Sequence, residues 1–380
     1  MGSVQKRGRS IFRARYRDPS GEQRSKTFAT EREAKAFLAT VESEKARGHW
    51  IDPRESKLPF EVYAAQWLLT KANVAPRTRI NVEGRVRNHL VPFFGSRPIG
   101  AIQPVHVRSL IATLSGSGLA PSTVKATFLT LNQIMKTAEI DALIRRSPCI
   151  GIELPADTSD TEMVFLTKEQ VASLAAAISP RFHVAIFTAA YTGLRAGELW
   201  ALTVPKLNLL KPSMSVTSSV SELNGRLVPG PTKTRQNRTV SIPRFIAEML
   251  AEQITRYPSP EGFLFTSERS GQIRHHNFAQ RQFRKAVAAA DVPSNLRFHD
   301  LRHACAAILI DGGWSLEQLK RHLGHSSIRV TSDRYAHLYE GHDDALLQRL
   351  DREFRASPPV ASPWPGATIT AIPDASQGTG

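Results

Sequence analysis

The chain has 380 residues, enough for two or three domains at roughly 150 residues each, and its 50 Lys plus Arg against 34 Asp plus Glu leave a net charge of +16. That excess points to a polyanionic partner. Two cysteines, Cys149 and Cys305, exclude a disulfide scaffold, and no apolar run approaches the roughly 20 residues of a membrane span.

The opening stretch MGSVQKRGRSIFRARY lacks the long apolar segment of a secretory signal, so the expectation is an intracellular, cytoplasmic protein. The basic excess is spread: net +5 over residues 1–56, +7 over 57–155 and +5 over 156–352. Three successive basic segments fit a protein that lies along a polyanion.

Residues 1–52 read as a small β-sheet-plus-helix unit. SIFRARYRD alternates, with Phe12, Ala14 and Tyr16 on one side and Arg13, Arg15 and Arg17 on the other. DPSG makes a turn and QRSKTF a returning strand, so that Arg24 or Lys26 can join the three arginines. Thr30 and Glu33 form a capping box for a helix that buries Ala34, Phe37, Leu38 and Val41 and closes near Gly48. Arginines on one sheet face suit insertion into a DNA groove, although most polar sheet faces are simply solvated.

IDPRESKLP at 51–59 reads as a linker. A four-helix basic unit over 58–150 follows. Its second helix carries Arg77, Arg79, Arg85 and Arg87 as candidate DNA contacts and should stop at Pro92 and Gly95; its last, over 120–144, should be capped by Ser122 or Thr123. SPCIGIELPADTSD at 147–160 is a second linker.

Residues 161–355 mix helix and strand. The expected order is a capped helix at LTKEQVASLAAAI, a helical PRFHVAIFTAAYTGLRAGELWAL, strand SMSVTSSV, a turn at Asn224–Gly225, strand RTVSIP, and helices again from HHNFAQRQFRKAVAAA. The tail, 356–380, is rich in Pro, Gly, Ala and Ser and is expected to be disordered. The overall expectation is a mixed α/β protein, mainly helical, with a small antiparallel sheet in the largest domain.

RFHDLRHACAAILI poses a chemical question. His299 and His303 at i and i+4 share a helix face, as a metal pair would. Arg302 offers a planar fork of donors that suits phosphate oxygens. Plain packing is the third reading. Neither an HExxH motif, nor a cysteine cluster, nor a GxxxxGK[ST] loop occurs to support a metal or nucleotide cofactor, and none is expected.

Five stretches answer it together: YTGLRAGEL with Arg195 and Glu198, PTKTRQNRTVSIP with Lys233 in an expected β-hairpin, FHDLRH with His299 and Arg302, LGHSS with His325, and SDRYAH with Tyr335. In this order they resemble the tyrosine recombinases, the phage-integrase family. HLVPFFGSRPIGAIQPVHVRSLIATL resembles that family's core-DNA-binding helices, and residues 1–50 its arm-site-binding domain. The resemblance implies Tyr335 as nucleophile, Arg195 and Arg302 on the non-bridging phosphate oxygens, Lys233 as general acid, His299 as general base and His325 as a donor to phosphate. Glu198 would orient Arg195, and His303 would support the helix or Arg302. Arg235 and Arg238 compete with Lys233, and Tyr339 is the decoy for Tyr335.

The implied function is site-specific integration or excision of a mobile element through a 3′-phosphotyrosyl intermediate. The implied partners are double-stranded DNA at core and arm sites and three further copies in a tetramer, with a host DNA-bending protein and an excision factor as accessories. The helix DDALLQRLDREF, with Leu346, Leu347, Leu350 and Phe354 on one face, would either pack at home or dock on a neighbouring subunit. A type IB topoisomerase-like enzyme and a non-catalytic DNA-binding regulator are the alternatives.

Overall fold

The computed structural model describes residues 2–339, apart from 9, 20, 47–50, 53, 157–162 and 235, together with Arg352. The helix expected over 343–354, Arg352 apart, the helix end expected near Gly48, the tail from 356 and Arg235 lie outside the described residues. Two compact units are present, residues 1–162 and 163–380.

The first unit opens with an antiparallel sheet of three strands, β1 (Ser3–Lys6), β2 (Phe12–Arg17) and β3 (Gln23–Phe28), in the order β1-β2-β3. The alternation in β2 does its work: Ala14 and Tyr16 are buried against Ala34, Leu38 and Val41 of the helix Glu31–Ala46. That helix starts at the expected capping box, with Glu33 N–H donating to Thr30 Oγ1 (3.2 Å) and Thr30 N–H to Glu33 Oε2 (3.3 Å). Strand register corrects one expectation. Tyr16 pairs with Arg24 and Ala14 with Lys26, and directly opposed residues share a face. Arg24 and Lys26 therefore lie on the helix side, and Ser25 and Thr27 stand across from Arg15 and Arg13. Arg24 binds Asp18 (2.9 Å) and Asp52 (2.8 Å), which ties the 51–59 stretch to the sheet.

The four expected helices follow: Phe60–Leu69, Pro76–Arg85, Pro104–Gly116 and Pro121–Ile140. Three begin at a proline, whose missing N–H has no partner to lose in a first turn. Ala120 is the N-cap of the last helix, and neither Ser122 nor Thr123 caps it. The second helix does not stop at Pro92. It runs through a π turn, Val86–Leu90, into Val91–Phe94 and ends at Gly95, whose φ is +42°. A π turn is one way a helix absorbs a residue that cannot donate its N–H. Phe60, Trp67, Leu90, Leu110, Leu131 and Met135 fill the core.

In the second unit, the helices Lys168–Ala177 and Pro180–Thr192 pack with Asp300–Asp311 around a large apolar core. Thr167 caps the first as expected, accepting from Gln170 N–H at 3.2 Å. Five strands make two small antiparallel sheets: β4 (Leu207–Asn208), β5 (Ser213–Val216) and β8 (Arg238–Ser241) in one, β6 (Ser219–Leu223) and β7 (Arg226–Gly230) in the other. SMSVTSSV is thus two strands in two sheets. The strand returning from Asn224–Gly225 is β7, whereas RTVSIP contributes β8 and pairs with β5. Lys233 consequently lies on the connection between the sheets, exposed, and not in the hairpin. No helix among the described residues is long and apolar enough to cross a membrane.

Candidate active site

A broken helix builds one wall of the site. Pro180–Thr192 ends at Gly193, whose φ of +61° is left-handed, and Arg195 then caps the short helix Ala196–Leu199. A Cβ on Gly193 would collide with Leu323 Cδ2 and lie 3.2 Å from Cys305 Sγ, so only glycine fits. The Gly193 carbonyl is one of two that hold Arg302; the other is that of Leu323, at 2.6 Å. Arg302 is only 2% exposed. Burial, with Arg195 nearby, lowers its pKa to about 9.

Glu198, 1% exposed, joins two guanidinium groups. Its Oε1 accepts from Arg195 Nη1 (3.0 Å), and Arg238 reaches both oxygens, at 3.2 and 2.7 Å. Burial alone would raise the Glu198 pKa, but the Arg238 hydrogen bonds and the charges of Arg238 and Arg195 bring it below the usual carboxylate value. Arg238 Nε also donates to the His322 carbonyl at 3.1 Å. In the sequence Arg238 stood only as a rival to Lys233; its partner is 40 residues away, so no local spacing could assign it this position. Gly324, with φ +67°, ends the helix Leu316–Leu323, and a Cβ there would come within 3.1 Å of the Arg238 guanidinium. The turn after it delivers His325, whose Nδ1 lies 2.9 Å from Thr331 Oγ1.

The helix Ile328–Tyr335 closes the site. Tyr335 is fully buried, and its hydroxyl lies 2.9 Å from His303 Nδ1. Its ring stands parallel to that of His325, centroids 6.3 Å apart. Burial raises the Tyr335 pKa, while Arg302 and Arg334 pull it down. His303 therefore does more than the expected propping of its helix. His299 sits at the exposed rim and meets His303 edge to face, centroids 5.4 Å apart; partial desolvation and the neighbouring His303 and Arg302 lower its pKa. Among the described residues no third His, Cys, Asp or Glu joins them as a metal-ligand set. Tyr339 is tied elsewhere, donating to the Trp314 carbonyl at 2.6 Å. His337 packs on Phe165.

The arginines read as DNA contacts lie outside this cluster. Arg13 donates to Ser25 Oγ (3.0 Å) and Arg17 to the Gly21 carbonyl (2.8 Å), and Arg15 lies half-buried between them on β2. Arg79 pairs with Glu83 (2.7 Å), while Arg77 and Arg87 are exposed and Arg85 is half-buried. At about 100° per residue, Arg77 and Arg85 share one side of their helix and Arg79 projects from the other.

Comparison with known proteins decides the class. The model of the phage integrase family matches residues 164–342, and that of the phage integrase N-terminal SAM-like domain matches 60–115. The chain belongs to the phage integrase family. It is 26% identical over 347 residues to the integrase of Mycobacterium phage L5, covering 87% of this chain and 91% of that one. This family member shares its fold with a Tn1549 transposon integrase in complex with a circular-intermediate DNA: TM-score 0.68, 22% identity, 77% of this chain and 99% of that one. A lambda integrase tetramer bound to a Holliday junction gives a TM-score of 0.56 at 17% identity, over 85% and 95% of the two chains. An integrase-family chain is an enzyme, a tyrosine site-specific recombinase, and neither the relaxing enzyme nor the non-catalytic regulator is favoured.

Proposed function

We propose that this integrase cuts and rejoins duplex DNA through Tyr335, forming a 3′-phosphotyrosyl bond, to integrate or excise a mobile element. The carrying observation is the Tyr335 hydroxyl, held by an imidazole among Arg302, His325 and the Glu198-linked pair Arg195 and Arg238. A phosphodiester repels nucleophiles through its charged oxygens, so guanidinium groups beside the attacking oxygen favour the transition state. Arg195 and Arg302 take that role in this reading, and His325 donates to the phosphate. Lys233, on its exposed connection, delivers the proton that the 5′ oxygen needs on leaving. Phosphotyrosine conserves the broken bond as another phosphodiester, so rejoining needs no nucleotide cofactor.

Residues 58–150 bind the core site in this reading and 1–52 the arm site, with residues 161–355 carrying the chemistry. Four copies assemble on DNA, and a host bending protein and an excision factor set the direction in the cytoplasm. The test is incubation with supercoiled plasmid carrying the attachment site. Wild type and Tyr339→Phe should form a covalent protein–DNA adduct and Tyr335→Phe none, with DNA binding kept by all three. Adduct from Tyr335→Phe would overturn the assignment.

A further inference from the structure

We infer that His303, rather than His299, takes the proton from Tyr335 as the bond to DNA forms. The inference rests on the reading of Tyr335 as the nucleophile. Its basis is contact: His303 Nδ1 is 2.9 Å from the Tyr335 hydroxyl, within the reach a general base needs. His299 makes no hydrogen bond to that hydroxyl among the described residues and faces solvent at the rim. His325 stacks on the tyrosine ring, but its Nδ1 is engaged by Thr331.

The surroundings suit a neutral imidazole. His303 is 4% exposed, with the Phe165 ring edge-on at 6.1 Å and His299 at 5.4 Å. Charged and titratable groups face it from several sides: Asp300, His299 and Arg302 on its own helix, Arg297 just before it, and Arg334 beside Tyr335. Burial outweighs Asp300 and lowers its pKa to about 4, so the ring is unprotonated at neutral pH and Nδ1 is open to accept. With Nε2 carrying the ring proton, the phenol O–H donates to Nδ1. A bound phosphodiester brings negative charge close by, and nearby anions raise the basicity of an imidazole.

The step balances within the site. Tyr335 Oη bonds to phosphorus, its proton passes to His303 Nδ1, and the bond from phosphorus to the 5′ oxygen breaks. That oxygen takes a proton from Lys233. On rejoining, a 5′-hydroxyl bonds to phosphorus and gives its proton to Lys233, the bond from phosphorus to Tyr335 Oη breaks, and His303 returns its proton to the phenol oxygen.

The test is single-turnover adduct formation on duplex spanning the crossover site, mapped first from the wild-type adduct. One substrate carries the ordinary 5′-bridging oxygen and the other a sulfur in its place, which leaves without a proton. Full-length His303→Ala and His303→Asn should each lose about 10²–10⁴-fold with oxygen. Sulfur should restore Lys233→Ala but neither His303 variant, because their defect precedes the leaving group. Asn keeps a polar acceptor near Nδ1 that cannot take a proton, so it decides the matter if the Ala variant fails to fold. DNA binding by each variant reports on folding. Adduct formation by His303→Asn within threefold of wild type, or its restoration by sulfur, overturns the inference, as does an unrestored loss found in His299→Asn alone. Adduct from Tyr335→Phe would instead overturn the nucleophile itself.

Discussion

Arg238 and Glu198 meet at two points, Nη1 to Oε1 and Nη2 to Oε2, across 40 residues of sequence. Glu198→Ala removes the shared partner of two cations in a site that water barely enters. Breaking a buried pair in this way costs about 3–5 kcal/mol. The Arg195 side chain is 22% exposed, so most of the loss should come from Arg238, at 9%. Urea midpoints measure it, and an unchanged midpoint would show that Glu198 only aligns the arginines.

Acid should destabilise the protein well above the carboxylate range. Burial, helped by neighbouring arginines, lowers His303 and His322 to about 4 and His325 to about 3. The unfolded value is about 6.5. Above that pH neither state binds the protons and stability is unaffected. Below it the unfolded chain takes protons that the folded one refuses, so stability falls as pH drops from about 6.5 towards the folded values. Each histidine contributes up to about 1.4 kcal/mol per pH unit. Urea titrations between pH 7.5 and 5 should show the decline, and His322→Gln should flatten it.

Gly193→Ala combines a left-handed backbone with a Cβ inside Leu323 and Cys305. The two penalties together come to about 2–5 kcal/mol. Because the Gly193 carbonyl holds Arg302, adduct formation should fall in the molecules that remain folded. A variant as stable and active as wild type would mean that this turn tolerates a side chain.

On the sheet, Arg15→Ala should lower the log–log salt slope of arm-site binding by about 0.9 if it neutralises one phosphate. Arg24→Ala should leave that slope alone and loosen the packing, because Arg24 faces Asp18 and Asp52 on the helix side. Equal slope changes in both variants would contradict the pairing of Tyr16 with Arg24.

Much of this was legible in the sequence because it is local. Alternation named Ala14 and Tyr16, the Thr30–Glu33 spacing named a helix start, and four of the five motifs named residues that gather around Tyr335, while Lys233 lies exposed on its connection. What escaped depends on distant partners. Which face Arg24 occupies follows from strand register, which QRSKTF alone does not encode. The pairing of β8 with β5 is a choice among strands. The Arg238–Glu198 fork and the His303–Tyr335 contact join residues 40 and 32 positions apart.

Arg302 has one more consequence. Its two carbonyl partners sit 109 and 21 residues away in the chain, so a single side chain stitches three segments together. A library screened only for lost recombination would score Arg302 variants as chemically dead when many had never accumulated as folded protein. Sorting such hits by soluble yield before assigning roles separates damaged chemistry from damaged architecture.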